Sequence, residues 1–131
     1  MIVAVGIDAC EVSRVRKALE RHGERFFLKI CSPRELEACG DGDRALYLAG
    51  RFALKEAFSK VLDGAHGVRW HDVEVIRLAS GRPALQLHDT AVTRSTEFGI
   101  DTWHVSLSHD GGMAVAVAIG EQRRPADPVS P

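Results

Sequence analysis

The chain has 131 residues, 17 basic against 18 acidic side chains and a formal charge of -1, with 45% hydrophobic and 27% charged residues. That size and balance predict one globular domain and exclude wholesale disorder, and the near-zero charge argues against a general nucleic-acid binder. No stretch approaches the roughly 20 apolar residues of a membrane helix. The apolar run Met1–Ile7 meets Asp8 too early for a signal peptide. Cys10, Cys31 and Cys39 show neither a disulfide framework nor metal-ligand spacing. The expectation is a cytoplasmic protein with no membrane insertion and no nucleic-acid partner.

In chain order, Ile2 to Ile7 reads as a buried first strand. A helix follows over about Ser13 to His22, with Val12, Val15 and Leu19 inward, Arg14, Arg16, Lys17 and Arg21 outward, and Gly23 as its stop. Ser32-Pro33-Arg34-Glu35 is a capping-box start for a short helix ending near Cys39. The longest helix runs from about Asp43 to Asp63-Gly64, with Ala49, Ala53, Ala57 and Val61 as a small-residue stripe that lets a neighbour approach closely. Val73 to Leu78, the turn Ser80-Gly81-Arg82-Pro83 and Ala84 to Leu87 form a hairpin, and a helix from Asp89 to Phe98 stops at Gly99. Trp103, Val105 and Leu107 alternate with His104, Ser106 and Ser108, and Asp110-Gly111-Gly112 turns the chain into an apolar strand from Met113 to Ile119. This order predicts an α+β fold, a long helix packed on a mostly antiparallel sheet. The domain spans residues 1–121, and the basic, then proline-rich stretch 122–131 is a flexible tail.

The residues that carry chemistry stand against ordinary alternatives. Asp8 closes a buried strand, where a carboxylate needs water, a partner or a cation; it is either an exposed strand end or a ligand of a hard metal. Glu56, on the alanine-rich helix, is either a surface helix residue or the second ligand of a Mg²⁺ completed by water and substrate phosphate. Lys60, one turn on, pairs with Glu56 along the helix or clamps a phosphate. His104, Ser106 and Ser108 share one strand face, which is a solvated surface or a diphosphate contact. Neither a G-x-G-x-x-G loop nor a P-loop is present.

Three ordered blocks then resemble one family. They are Val5-Gly6-Ile7-Asp8 with Glu11 and Arg14, Arg51-Phe52-Ala53-Leu54-Lys55-Glu56-Ala57-Phe58-Ser59-Lys60, and His104-Val105-Ser106-Leu107-Ser108-His109, with Gly81-Arg82-Pro83 between the last two. They resemble the holo-[acyl-carrier-protein] synthases, the small bacterial 4'-phosphopantetheinyl transferases, from the start of the chain to about Glu121. The resemblance implies that fold. It also implies transfer of 4'-phosphopantetheine from coenzyme A to a serine of an apo acyl carrier protein, releasing adenosine 3',5'-bisphosphate. By it, Asp8 and Glu56 hold Mg²⁺, Lys60 contacts the transferred phosphate region, and His104 lies beside coenzyme A. Arg51, Gly81, Arg82 and Pro83 belong to the coenzyme A pocket or a subunit boundary. Arg14 docks the acidic carrier, joined on charge and spacing by Arg16, Lys17 and Arg21. A homotrimer with sites between subunits is implied as well. Water near the metal, Glu56 and His104 all stand as acceptors of the serine proton. Leu54, Asp63, Ser32 and Asp110 depart from the family's usual residues without removing a metal or phosphate group. A Mg²⁺-dependent phosphohydrolase and a noncatalytic oligomeric binding protein are the alternatives.

Overall fold

The computed structural model describes residues 1–64 and 66–124. Strand β1 (Ile2–Glu11) passes directly into α1 (Val12–His22), where the Val12 amide donates to the Gly112 carbonyl at 2.9 Å. Gly23, at φ 67°, ends α1, as its spacing predicts. A helix not expected from the residue pattern, α2 (Glu24–Ile30), follows at once. Its seven residues are too few for periodicity to register, and it forms because burial of Phe27 and Ile30 holds it.

The capping box opens α3 (Pro33–Cys39) as predicted: Glu35 N donates to Ser32 Oγ and Ser32 N to Glu35 Oε1 at 2.9 Å. The long helix α4 (Arg44–Val61) is capped by Asp43, whose Oδ1 accepts from Ala45 N at 3.0 Å and Leu46 N at 3.2 Å. A short 3₁₀ turn (Trp70–Asp72) leads into β2 (Val73–Arg77), paired antiparallel with β3 (Pro83–Leu87). Helix α5 (Asp89–Glu97) has His88, not Asp89, at its cap position. The hairpin of β4 (Thr102–Asp110) and β5 (Met113–Glu121) turns on Gly111 and Gly112, both at positive φ, which the two-residue turn requires.

The fold is α+β, as predicted, with its strands in two separate sheets: β1-β5-β4, all antiparallel, and the β2-β3 hairpin. One face of the three-stranded sheet lies on α4. Ala114, Ala116 and Ala118 of β5 meet the helix stripe of Ala49, Ala53 and Ala57, all buried. Small side chains on both surfaces set the helix close to the sheet. The approach is tightest at Gly6, where an added Cβ would sit 2.0 Å from the Ala57 carbonyl oxygen. The opposite sheet face is open and apolar: Val5 is 57% and Ile7 61% exposed, beside Val3 and Val115.

Part of the expected flexible tail is anchored. Gln122 N donates to the Met1 carbonyl at 2.8 Å, and Arg123 N and Arg124 N donate to the Asp101 carboxylate at 3.0 Å each. The rest of that tail, 125–131, lies outside the described residues.

Candidate active site

The Gly6–Ala57 contact brings the inward side of β1 against the last two turns of α4, and three charged residues meet there. Asp8 points from β1 toward the helix, its side chain 17% exposed. Lys60 Nζ donates to Asp8 Oδ1 at 3.0 Å and to the Ile7 carbonyl at 2.8 Å. The lysine therefore turns to the strand carboxylate, and the along-helix pair with Glu56 does not form. Glu56 lines a small cleft of about 240 Å³ with Ser59, Val68, Trp70 and Val73. Burial pushes its carboxyl above the usual range; the Asp8 charge pushes the same way and Lys60 opposes both. Two carboxylates held in mutual repulsion beside one ammonium form a site that gains from a cation. Among the described residues no third His, Cys, Asp or Glu joins them. Such a set fits Mg²⁺, which is held by one or two carboxylates with water and substrate phosphate.

His104 is on the other side of the sheet. The register pairs Asp8 with Ala116 and Ala116 with Leu107, all facing α4, and Val5 with Ile119 and Ile119 with His104, all on the open face. Within one chain the sheet thus separates His104 from Asp8, Glu56 and Lys60. His104 Nε2 lies 2.9 Å from Glu121 Oε1, a partner that sequence reasoning missed because the two are 17 positions apart on different strands.

Arg51 is buried at 5% exposure, its guanidinium 3.9 Å from the centre of the Tyr47 ring. It faces a cavity of about 490 Å³ shared with Arg34 and Arg77, and its Nε and the Tyr47 hydroxyl have no hydrogen-bond partner among the described residues. This cavity shares no wall with the Glu56 cleft. Gly81 and Arg82 lie in the β2-β3 turn and Pro83 opens β3 opposite Arg77, with Gly81 at φ 91° and its carbonyl 3.4 Å from Arg77 Nη1. None of the three makes a hydrogen bond or ion pair with Asp8, Glu56 or Lys60.

The basic residues of α1 divide. Arg14, Lys17 and Arg21 are exposed and recur every three to four residues along one stripe. Arg16 lies off that stripe, and its guanidinium pairs with Asp43 at 3.0 and 3.3 Å, joining α1 to the cap of α4. A pocket of about 270 Å³, walled by Val15, Phe26, Ile30 and Phe52, opens beside Arg14.

A second group missed by sequence reasoning supports α4. Lys55, next to Glu56, is buried and donates to Glu35 Oε1 at 2.7 Å and to the Ile30 and Trp70 carbonyls at 2.8 and 3.2 Å. The capping-box glutamate is the signal for it: a Glu drawn inward at a helix start is available to a buried cation.

The fold, the three charged residues at the β1–α4 contact and the open sheet face define one class. Residues 4–118 match the 4'-phosphopantetheinyl transferase superfamily, and the chain belongs to it. Within that superfamily it groups with the holo-[acyl-carrier-protein] synthases. It is 43% identical over 122 residues to the holo-[acyl-carrier-protein] synthase of Beutenbergia cavernae, covering 93% of this chain and 100% of that one. The crystal structure of the Neisseria meningitidis holo-[acyl-carrier-protein] synthase superposes with a TM-score of 0.85 at 30% identity, covering 92% of this chain and 99% of that one. The Helicobacter pylori synthase, solved in complex with coenzyme A, superposes with a TM-score of 0.79 at 31% identity, covering 90% of this chain and 100% of that one.

Proposed function

We propose that Asp8 and Glu56 hold Mg²⁺ and that the site is completed by a neighbouring subunit, in an enzyme that transfers 4'-phosphopantetheine from coenzyme A to a serine of an apo acyl carrier protein. The observation that carries the reading is the meeting of Asp8, Glu56 and Lys60 across the Gly6 contact. In the reaction the serine hydroxyl gives up its proton to an adjacent base as its oxygen forms a bond to the phosphorus carrying pantetheine. The bond from that phosphorus to the bridging oxygen breaks, and adenosine 3',5'-bisphosphate leaves. When bound, Mg²⁺ neutralises the diphosphate and the charge developing on the leaving phosphate.

Lys60 presents its ammonium to the transferred phosphate from the same side as the two carboxylates. Arg51 and Arg77 line a cavity in which Glu74 is paired with Arg34 and Glu35 with Lys55, and these two arginines are the cations offered to the remaining phosphate of coenzyme A. Arg82, with Gly81 in the β2-β3 turn and Pro83 at the start of β3, approaches coenzyme A from the hairpin, outside the lining of that cavity. His104 contacts the diphosphate from a second copy of the chain. Two features support that division. The Glu56 cleft of about 240 Å³ is too small to enclose coenzyme A, and the open face of Val3, Val5, Ile7 and Val115 is the kind of apolar patch that subunits cover. A homotrimer with its sites between subunits uses both. Arg14, Lys17 and Arg21 form the carrier-docking stripe, with the neighbouring apolar pocket available to a carrier side chain. Three free thiols fit a reducing, cytoplasmic setting, and no helix among the described residues is long and apolar enough to cross a membrane.

The test is intact-mass analysis of an apo acyl carrier protein incubated with enzyme, coenzyme A and Mg²⁺, with a chelator control. A metal-dependent gain of one phosphopantetheine is expected. Free phosphopantetheine beside an unmodified carrier overturns transfer in favour of hydrolysis. Co-expression of Glu56→Gln and His104→Ala chains tests the shared site. Each variant alone is impaired, and mixed oligomers regain activity if the two residues act from different subunits. Mixed oligomers no better than the separate variants overturn the shared site.

A further inference from the structure

We infer that Glu121 is a positioning residue that fixes the orientation and tautomer of His104, leaving Nδ1 as the ring atom presented to the substrate. The inference rests on the reading of His104 as a diphosphate contact.

The strand register sets up the pair. Thr102 lies opposite Glu121 and His104 opposite Ile119, so His104 and Glu121 are diagonal neighbours on the open sheet face. His104 Nε2 is 2.9 Å from Glu121 Oε1. Positive groups surround that carboxylate: Arg123 Nε at 3.9 Å, and the Met1 ammonium, which donates to the adjacent Gln122 carbonyl at 2.7 Å. The hydrogen bond from His104, then the Arg123, His104 and N-terminal charges, hold the Glu121 carboxyl below its usual range. An ionised carboxylate only accepts hydrogen bonds. A neutral His104 ring must therefore carry its proton on Nε2, which leaves Nδ1, directed away from Glu121, as the atom that takes up a second proton and, once protonated, donates to a diphosphate oxygen. The same logic orients metal-bound histidines through an outer carboxylate.

The pair is not a device for holding the fold. The His104 side chain is 52% exposed, and exposed ion pairs contribute little to stability. The end of β5 is tied down independently by backbone bonds from Gln122 to Met1 and from Asp101 to Glu121. A defect confined to His104 geometry is therefore separable from unfolding.

Long-range nitrogen–proton NMR of the His104 imidazole, recorded with the ring neutral, reads the tautomer directly. The Nε2-protonated form is expected in the wild type and in Glu121→Gln, whose amide oxygen still accepts the bond, and a tautomer mixture in Glu121→Ala. The same tautomer in the wild type and Glu121→Ala overturns the assignment. In parallel, Glu121→Ala should lower kcat/KM for coenzyme A about tenfold, with substantial recovery in Glu121→Gln and only a small drop in melting temperature. In a His104→Ala background, Glu121→Ala should cost nothing further; an equal loss there shows that Glu121 does not act through His104 and overturns the proposal. If His104→Ala alone leaves transfer at the wild-type rate, the diphosphate reading of His104 fails, and with it the presentation of Nδ1 to substrate; the NMR comparison then decides the Glu121–His104 orientation alone.

Discussion

Lys60 places its ammonium 3.0 Å from Asp8 Oδ1 and passes over Glu56, its neighbour one helical turn back. The ammonium is paired with the strand carboxylate and makes no ion pair with the helix carboxylate. Burial and the Asp8 charge raise the Glu56 carboxyl above its usual range, so its ionised form is disfavoured in the fold. Glu56 therefore withdraws stability at pH values above its folded pKa and returns it as the pH falls below. Glu56→Gln should keep or raise the melting temperature of the metal-free enzyme at neutral pH, while kcat falls about 10²-fold or more. Mg²⁺ should raise the melting temperature of the wild type and leave that of Glu56→Gln unmoved. Calorimetry with and without the metal checks both, and a clear loss of metal-free stability in Glu56→Gln overturns the repulsion.

The separation of Arg14 from Arg16 gives a second prediction. Both stand on α1, and only Arg16 has a fixed partner, Asp43. Arg14→Glu should weaken carrier binding roughly tenfold at low ionic strength, with the difference shrinking as salt screens it, and should change kcat little at saturating carrier. Arg16→Glu should act mainly on the α1–α4 connection, lowering the melting temperature with a smaller effect on carrier Kd. Carrier titrations by calorimetry at two salt concentrations separate them. Equal losses of carrier affinity would return Arg16 to the docking stripe.

Much of this was legible in the sequence, for physical reasons that differ from element to element. Ser32 and Glu35 announced α3 because a capping box is a local bargain between neighbouring residues, and the alanine stripe of α4 announced a close neighbour. Asp8, Glu56 and Lys60 were each open to a chemical and an ordinary reading from their own positions, and the family resemblance chose the chemical one, since nothing in their spacing places β1 on the end of α4. Helix α2 was invisible because tertiary burial of Phe27 and Ile30 sustains it. The opposite facing of His104 and Asp8 follows from strand register, which is settled by pairing with β5 and not by either segment alone. The Lys55–Glu35 and His104–Glu121 pairs are long-range, and each joins residues that look unremarkable in isolation.

Gly6 carries the close approach on which the site depends. A methyl group there would lie 2.0 Å from the Ala57 carbonyl oxygen and 3.0 Å from its carbon, backbone atoms that cannot swing aside. Gly6→Ala should cost about 1–3 kcal/mol of stability or more, and by moving β1 off α4 it should impair transfer beyond what the lost stability explains. Gly50→Ala is the matched control, because its closest neighbours are the ends of the Leu107 and His109 side chains, at 3.0 and 3.1 Å. Urea unfolding of the two variants checks the ranking. A Gly6→Ala midpoint equal to or above that of Gly50→Ala would show that β1 relaxes without cost.

Asp101 supplies the pH prediction. Its carboxylate accepts from the Thr102 hydroxyl at 2.7 Å and from the Arg123 and Arg124 amides at 3.0 Å each. These bonds, the Thr102 hydroxyl first, pull its carboxyl from 3.8 down to about 2. A depressed carboxyl contributes stability that is complete above its unfolded value and is lost as the pH falls through the folded one. Asp101→Asn should therefore melt below the wild type at neutral pH, and the gap should close as the pH is lowered from 3.8 toward about 2. Hydrogen exchange gives a local reading of the same contact. The Arg124 amide, bonded to the oxygen that the substitution replaces or reorients, should exchange faster in the variant at neutral pH, while amides in the β4-β5 ladder keep their protection. A melting deficit that stays constant across that pH range would assign the loss to packing and not to the charge on Asp101.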